Sequence, residues 1–128
     1  MAEVDAKHVV LIIDDEDLVR NLTGKILERS GFGVLKASGG IEGIEQFKAC
    51  TDEIDAVMVD MTMPDLDGGA VFSAVRKLRA DIPVLLTSGF KERETETWFS
   101  GQDGVLFLQK PFQRRALLTM LKRLLPET

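Results

Sequence analysis

Four groups of polar residues, each closing an apolar run, carry the chemistry open to this chain: Asp14-Asp15-Glu16-Asp17, Asp60, Thr87-Ser88 and Lys110. Asp60 ends the run Ala56-Val57-Met58-Val59 and opens a loop rich in Pro, Asp and Gly, Met61-Thr62-Met63-Pro64-Asp65-Leu66-Asp67-Gly68. Asp14, Asp15 and Asp60, brought together, repel one another, and a hard divalent cation relieves that repulsion. Oxygen-only ligation points to Mg2+, which keeps several waters and recruits phosphate oxygens. A carboxylate can also attack phosphorus and form an aspartyl phosphate. The metal and a cation such as Lys110 then neutralise the oxygens of the transferred group, and a hydroxyl such as that of Thr87 donates to a third oxygen.

Taken singly, each group has a plainer reading. An acidic loop serves as a solvated turn and helix cap, a strand-end Asp caps a loop, Thr-Ser is a common strand exit, and Lys-Pro is a surface turn. Met58, Met61 and Met63 read as packing, His8 as a surface or structural residue, and Cys50 as inert. The joint occurrence at four strand ends is what these plainer readings leave unexplained.

The elements that must position these groups follow from periodicity. Val9 to Ile13 is a continuous apolar run ended by acids, as a buried parallel strand reads. Asp17 is the expected cap of a first helix carrying Leu18, Val19, Leu22, Ile26 and Leu27, with Gly31 ending it. Val34–Ala37 is a short edge strand. Ser38 is the expected cap of a second helix with Ile41, Ile44 and Phe47 on one face, weakened by Gly39, Gly40 and Gly43. After the strand ending at Asp60, Val71, Val75 and Leu78 mark a third helix. Ile82–Leu86 is a fourth strand with Pro83 at its start, where a missing N–H is tolerated. A weak, very polar helix is expected over 91–99, a fifth strand over Gly104–Leu108, and a last helix carrying Leu117, Leu118, Leu121, Leu124 and Leu125.

Strand and helix alternate five times, which predicts an α/β doubly wound (βα)5 fold, flavodoxin-like, with a parallel sheet in the order 2-1-3-4-5 and helices on both faces. In such a sheet the ligand site lies at the carboxyl edge, at the point where the strand order reverses. The intervals from Asp60 to Thr87 and from Thr87 to Lys110 each suit one crossover unit of about 30 residues, and that from Asp15 to Asp60 suits two.

Composition bounds the rest. The chain has 128 residues, 45% hydrophobic and 29% charged, which suits one globular domain. A formal net charge of −5 argues against a general nucleic-acid-binding surface. The N-terminal apolar run is too short for a membrane span or a signal peptide. A single cysteine, Cys50, cannot form an internal disulfide and fits a reducing cytoplasm, and with one His a structural zinc site is excluded.

The order Asp14-Asp15, then Asp60-Met-Thr-Met-Pro-Asp-Leu-Asp-Gly, Thr87-Ser88-Gly89 and Lys110-Pro111-Phe112 closely resembles the receiver domains of response regulators in two-component signalling. The resemblance covers nearly the whole chain. It implies Asp60 as phosphoacceptor, Asp15 and Asp60 as direct Mg2+ ligands, Asp14 acting largely through water, and the backbone carbonyl of Thr62 as a further ligand. It implies that Lys110 and Thr87 contact the phosphoryl group and that the peptide before Pro111 is cis, an isomer accessible at an X-Pro bond. The switch aromatic falls on Phe107, which lacks the hydroxyl of a Tyr, and Thr62 occupies a position that in the family tunes phosphoryl lifetime.

The expected function is therefore a phosphorylation-controlled switch. A sensor histidine kinase or histidine phosphotransfer protein donates to Asp60, Thr87 and Phe107 follow, and the face formed by the helix over 91–99, the fifth strand and the last helix changes partner affinity. Leu18, Val19 and Phe112, flanked by Asn21, are the expected docking patch for the donor, with one of Leu18 and Val19 in the core. The resemblance implies no catalysis beyond the chain's own phosphoryl transfer and autodephosphorylation. Two rivals are a Mg2+-dependent aspartyl-phosphate phosphatase, which would want a second acid where Thr62 stands, and an unphosphorylated binding module, which would be expected to lack Asp60 or Lys110. The chain is expected to be one receiver domain over residues 1–128, ordered over about 7–125, cytoplasmic, with no direct nucleic-acid contact and no membrane insertion. It is either a free-standing receiver or one cut from a longer protein such as a hybrid sensor kinase.

Overall fold

The structure, a computed structural model, describes residues 8–89 and 102–125. Five parallel strands, β1 (Val9–Ile13), β2 (Gly33–Ala37), β3 (Ala56–Asp60), β4 (Val84–Ser88) and β5 (Val105–Gln109), form one sheet in the order β2-β1-β3-β4-β5. The helices described are α1 (Asp17–Arg29), α2 (Gly40–Ala49), α3 (Gly68–Leu78) and a C-terminal helix (Arg114–Leu124). The polar helix expected over 91–99 lies outside the described residues.

Period-2 alternation explains how the sheet feeds two cores. Leu11 and Ile13 of β1 and Val57 and Val59 of β3 pack with Phe47 of α2 and Val71 and Val75 of α3. Val10, Ile12 and Met58 point the other way and pack with Leu27 of α1 and Leu117 and Leu121 of the C-terminal helix. All of these are buried, and each full burial of a large aliphatic side chain stabilises by about 1.5–3 kcal/mol. The central strands β3 and β4 are buried at every residue, which is why they read as apolar runs up to their polar ends at Asp60 and Thr87-Ser88.

The glycines of α2 make it fit rather than weaken it. A β-carbon at Gly43 would collide with Ile13, and one at Gly40 would come within 2.8 Å of the Leu66 side chain. At the end of α1, Gly31 takes φ +96°, and the Phe32 N–H reaches back 2.9 Å to the Leu27 carbonyl. A left-handed glycine with a bond to the last turn closes the helix as expected.

Several boundaries differ from the pattern-based reading. β4 begins after Ile82 and Pro83 and runs through Ser88, so Thr87 and Ser88 are strand residues rather than an exit. β5 is shifted by one residue to end at Gln109. Asp17 is the first residue of α1, not its cap. Glu16 caps it without a side-chain bond. Gly39 rather than Ser38 precedes α2, and the Ser38 N–H and hydroxyl both donate to Glu42 Oε1 at 2.8 Å. The apolar stripe of α1 is also split. Leu27 is buried beside Thr23 and Gly24, while Leu18 is 81% and Leu22 57% exposed.

Candidate functional site

Strand order and register bring the polar strand ends together. β3 lies between β1 and β4, so Asp14 and Asp15, just past Ile13, sit beside Asp60. On the other side Asp60 pairs in register with Thr87, and the Met61 N–H donates to the Thr87 carbonyl at 2.8 Å. Asp14, Asp60 and Thr87 are all buried. Gly68, at the start of α3, permits this packing: a β-carbon there would lie 2.7 Å from Met61 Cα and 2.9 Å from the Asp60 carbonyl oxygen.

Oxygens of Asp14, Asp15 and Asp60 lie within 4.8 Å of one another, Asp15 being the most exposed of the three. Lys110 enters from the β4–β5 side, where its backbone N–H donates to the Ser88 carbonyl at 2.7 Å and its bond to Pro111 is cis, as the resemblance implied. Its Nζ lies 2.9 Å from Asp14 Oδ2, 3.0 Å from Glu16 Oε1 and 3.2 Å from Asp60 Oδ2. The other oxygen of Asp60 accepts from the Thr62 N–H at 3.1 Å and the Thr62 hydroxyl at 3.3 Å.

Burial disfavours the charged ammonium of Lys110, but hydrogen bonds to Asp14 and Glu16 and the charge of Asp60 outweigh it and raise its pKa. Burial raises the pKa of Asp14, against the Glu16 N–H and Lys110, which favour the carboxylate. Three carboxylates thus share one ammonium while Asp15 adds a further acid, and the donor set is all oxygen. Such a set fits a hard divalent cation. Asp14, Asp15 and Asp60 would hold it by their side chains, with Thr62 in the loop directly after Asp60.

Some functional neighbours were not legible in the pattern. Arg20 pins the acidic loop, donating 2.8 Å to the Asp14 carbonyl and 2.6 Å to Asp17 Oδ1. Glu16 stood in the acidic string without a role and proves to be the exposed partner of Lys110. Asp65 and Asp67 stay out of the cluster. Asp65 accepts from the Gly40 and Ile41 N–H groups at the start of α2, and Asp67 accepts from Ala70 at the start of α3. Phe107 is buried in the core under α2 and α3, 7% exposed.

An apolar groove of about 400 Å3 adjoins the cluster, lined by Val19, Leu22, Ile26 and Phe112, with Glu16 and Lys110 also in its wall. Neither Leu18 nor Val19 belongs to the core, contrary to the reading that one of them would. Leu18 points to solvent and Val19 is half-buried in the groove.

Comparison with known proteins points in one direction. Residues 10–122 match the response regulator receiver domain family. The chain is 31% identical over 123 residues to the sensor kinase CckA of Brucella abortus (strain 2308), covering 96% of this chain and 13% of that protein. It superposes on the chemotaxis protein CheY4 of Vibrio cholerae with a TM-score of 0.87 at 26% identity, covering 94% of this chain and all of the other. It superposes on the response regulator protein TrrA of Thermotoga maritima, solved in complex with Mg(2+)-BeF, with a TM-score of 0.81 at 25% identity, covering 92% and 99%.

Proposed function

This chain belongs to the response regulator receiver domains, and from that premise we propose that it is a phosphorylation-controlled switch whose acceptor is Asp60. The observation that carries the reading is the meeting of Asp14, Asp15 and Asp60 within 4.8 Å, with Lys110 Nζ 3.2 Å from the acceptor carboxylate. The match with TrrA, solved with Mg(2+)-BeF, supports Mg2+ as the cation. When bound, Mg2+ supplies positive charge that offsets the clustered carboxylates and draws in phosphoryl oxygens.

The residues divide the work. An oxygen of the Asp60 carboxylate attacks phosphorus as the phosphorus–nitrogen bond of a phosphohistidine breaks, and the imidazole leaves with its electron pair. Asp15 and Asp60 would hold the metal directly, with the Thr62 carbonyl, and Asp14 largely through water. Lys110 pairs with a phosphoryl oxygen, and the Thr87 hydroxyl, one strand over in register, donates to another. Thr87 moves toward the new oxygens, and Phe107, two strands from Asp60 and already buried, shifts into the space it leaves. The surface around β5 and the C-terminal helix changes its partner affinity by a shift between two packings. Thr62 donates to Asp60 rather than offering an acid, which disfavours the phosphatase reading. Residues of about 7–125 act as one domain, and the chain works as a switch rather than as an enzyme on external substrates.

The donor is a sensor histidine kinase or histidine phosphotransfer protein, in keeping with the likeness to a sensor kinase. It docks in the groove of Val19, Leu22 and Phe112 and against exposed Leu18 of the same helix, so that its phosphohistidine reaches Asp60. No helix among the described residues is long and apolar enough to cross a membrane.

The central test is intact mass after incubation with acetyl phosphate and Mg2+ at neutral pH. One phosphoryl adduct is expected, labile to alkali and hydroxylamine, abolished by chelation and by Asp60→Asn. An adduct that survives Asp60→Asn at the wild-type level would overturn the assignment. For the docking site, Leu22→Asp is expected to slow transfer from a phosphohistidine donor at least tenfold, a loss of about 1.4 kcal/mol in transition-state stabilisation, with little change toward acetyl phosphate. Equal slowing with both donors would sink it.

A further inference from the structure

Lys110 is held by three acids of two kinds. Asp14 and Asp60 are buried and belong to the cluster that fits a divalent cation. Glu16 stands outside that cluster, its side chain 58% exposed, and yet its Oε1 lies 3.0 Å from Nζ, as close as Asp14 at 2.9 Å. The ammonium and a divalent cation want the same lone pairs on Asp14 and Asp60, and they repel one another. A cation can settle between the carboxylates only if the ammonium gives up part of its hold on them.

Glu16 is built to receive it. Its backbone is fixed, since its N–H donates to Asp14 Oδ1 at 2.9 Å and its carbonyl accepts from the Arg20 N–H at 2.9 Å. Arg20 in turn pins the Asp14 carbonyl at 2.8 Å. The carboxylate of Glu16 is therefore held at the outer side of the cluster, where an ammonium leaving Asp60 still has a partner. We propose that Glu16 is a positioning residue: it draws the Lys110 ammonium toward the outer edge of the site and so frees the oxygens of Asp14 and Asp60 for a divalent cation. The inference rests on the reading of this cluster as a Mg2+ site.

An exposed carboxylate could also act simply by adding negative charge near the metal, and a double-mutant cycle separates the two actions. Mg2+ dissociation constants would be measured by isothermal titration calorimetry, at constant ionic strength and without phosphodonor, on wild type, Glu16→Gln, Lys110→Ala and the double variant. Glu16→Gln is expected to weaken Mg2+ binding about three- to tenfold, because the ammonium then rests on Asp14 and Asp60 alone. Lys110→Ala is expected to tighten it. In the Lys110→Ala background, Glu16→Gln is expected to change the constant by less than about twofold. Equal weakening in both backgrounds would overturn the proposal in favour of a direct charge effect. Mg2+ binding that Glu16→Gln leaves unchanged would overturn it and spare the metal site. A wild-type protein that binds no Mg2+ would overturn the metal reading and this inference with it.

Discussion

At the amino edge of the sheet, Arg76 and Arg79 reach across the strand starts to backbone carbonyls, whereas at the carboxyl edge Lys110 reaches to carboxylates. Arg76 donates through Nε to the Ile82 carbonyl at 2.9 Å and through Nη2 to the carbonyls of Asp103 and Gly104 at 2.8 and 3.1 Å. Its guanidinium also lies 4.9 Å above the Phe72 ring. Arg79 binds the carbonyls of Thr51 and Ile54 at 3.0 and 2.6 Å, and Asp55 accepts from the Val9 N–H at 2.7 Å. These charges satisfy backbone groups that a strand start leaves over, and they tie α3 to the loops before β3, β4 and β5. At the other edge the charges face one another, with acids in excess. The difference teaches where to look for chemistry. Charge spent on the backbone holds a fold, while carboxylates left facing one another mark a candidate site for a cation.

The contrast is sharpest under substitution. Asp60→Asn is expected to remove the whole phosphoryl adduct while leaving the free energy of urea unfolding within about 1 kcal/mol of wild type, since it takes one like charge out of a buried cluster. Arg76→Ala is expected to do the reverse. It strips the Ile82 and Asp103 carbonyls of the guanidinium and leaves the Gly104 carbonyl with the Val84 N–H alone, and should lower stability by about 2–3 kcal/mol in urea unfolding. Folded Arg76→Ala protein should still take up one phosphoryl group from acetyl phosphate. If Asp60→Asn unfolded more readily than Arg76→Ala, the division between the edges would be wrong.

Asp65 refines the comparison, because it lies on the carboxyl side and yet serves backbone. Asp65→Ala strips the Gly40 and Ile41 N–H groups of their acceptor and is expected to cost about 1 kcal/mol, as the loss of a helix cap does. The Ile41 and Gly40 N–H groups hold the Asp65 carboxyl below its ordinary value of 3.8. Its stabilisation is therefore present above pH 3.8 and is lost as pH falls through the lower, folded value. The gap between wild type and Asp65→Ala should accordingly be widest near neutrality and close in acid, as thermal unfolding at stepped pH would measure.

Much of this was legible along the chain, and for local reasons. Buried β3 and β4 are apolar up to their polar ends, so they read as unbroken runs, and the acid that stops β3 is the proposed acceptor. Alternation of strands and helices leads to a parallel sheet, and the carboxyl edge follows. Strand limits were off by a residue or two: Ile82 is as apolar as the strand it precedes, and only the φ of +73° at Gly104 sets it outside β5. The apolar stripe of α1 could not be divided in advance into core and groove. A stripe records only that residues are apolar, and the division depends on how closely Gly24 lets the helix approach Val34 and Lys36.

Periodicity and turn chemistry, being properties of neighbouring residues, were enough to set the elements among the described residues, their order and the set of polar strand ends. Which of those polar groups touch was settled by packing across the fold. Glu16 and Lys110 are 94 residues apart in the chain and 3.0 Å apart in space, and Asp65 caps a helix that begins 25 residues before it. No local pattern encodes such pairs, because a hydrogen bond depends on tenths of an ångström, and those are fixed only when sheet register and helix approach bring the two backbones to their final separation.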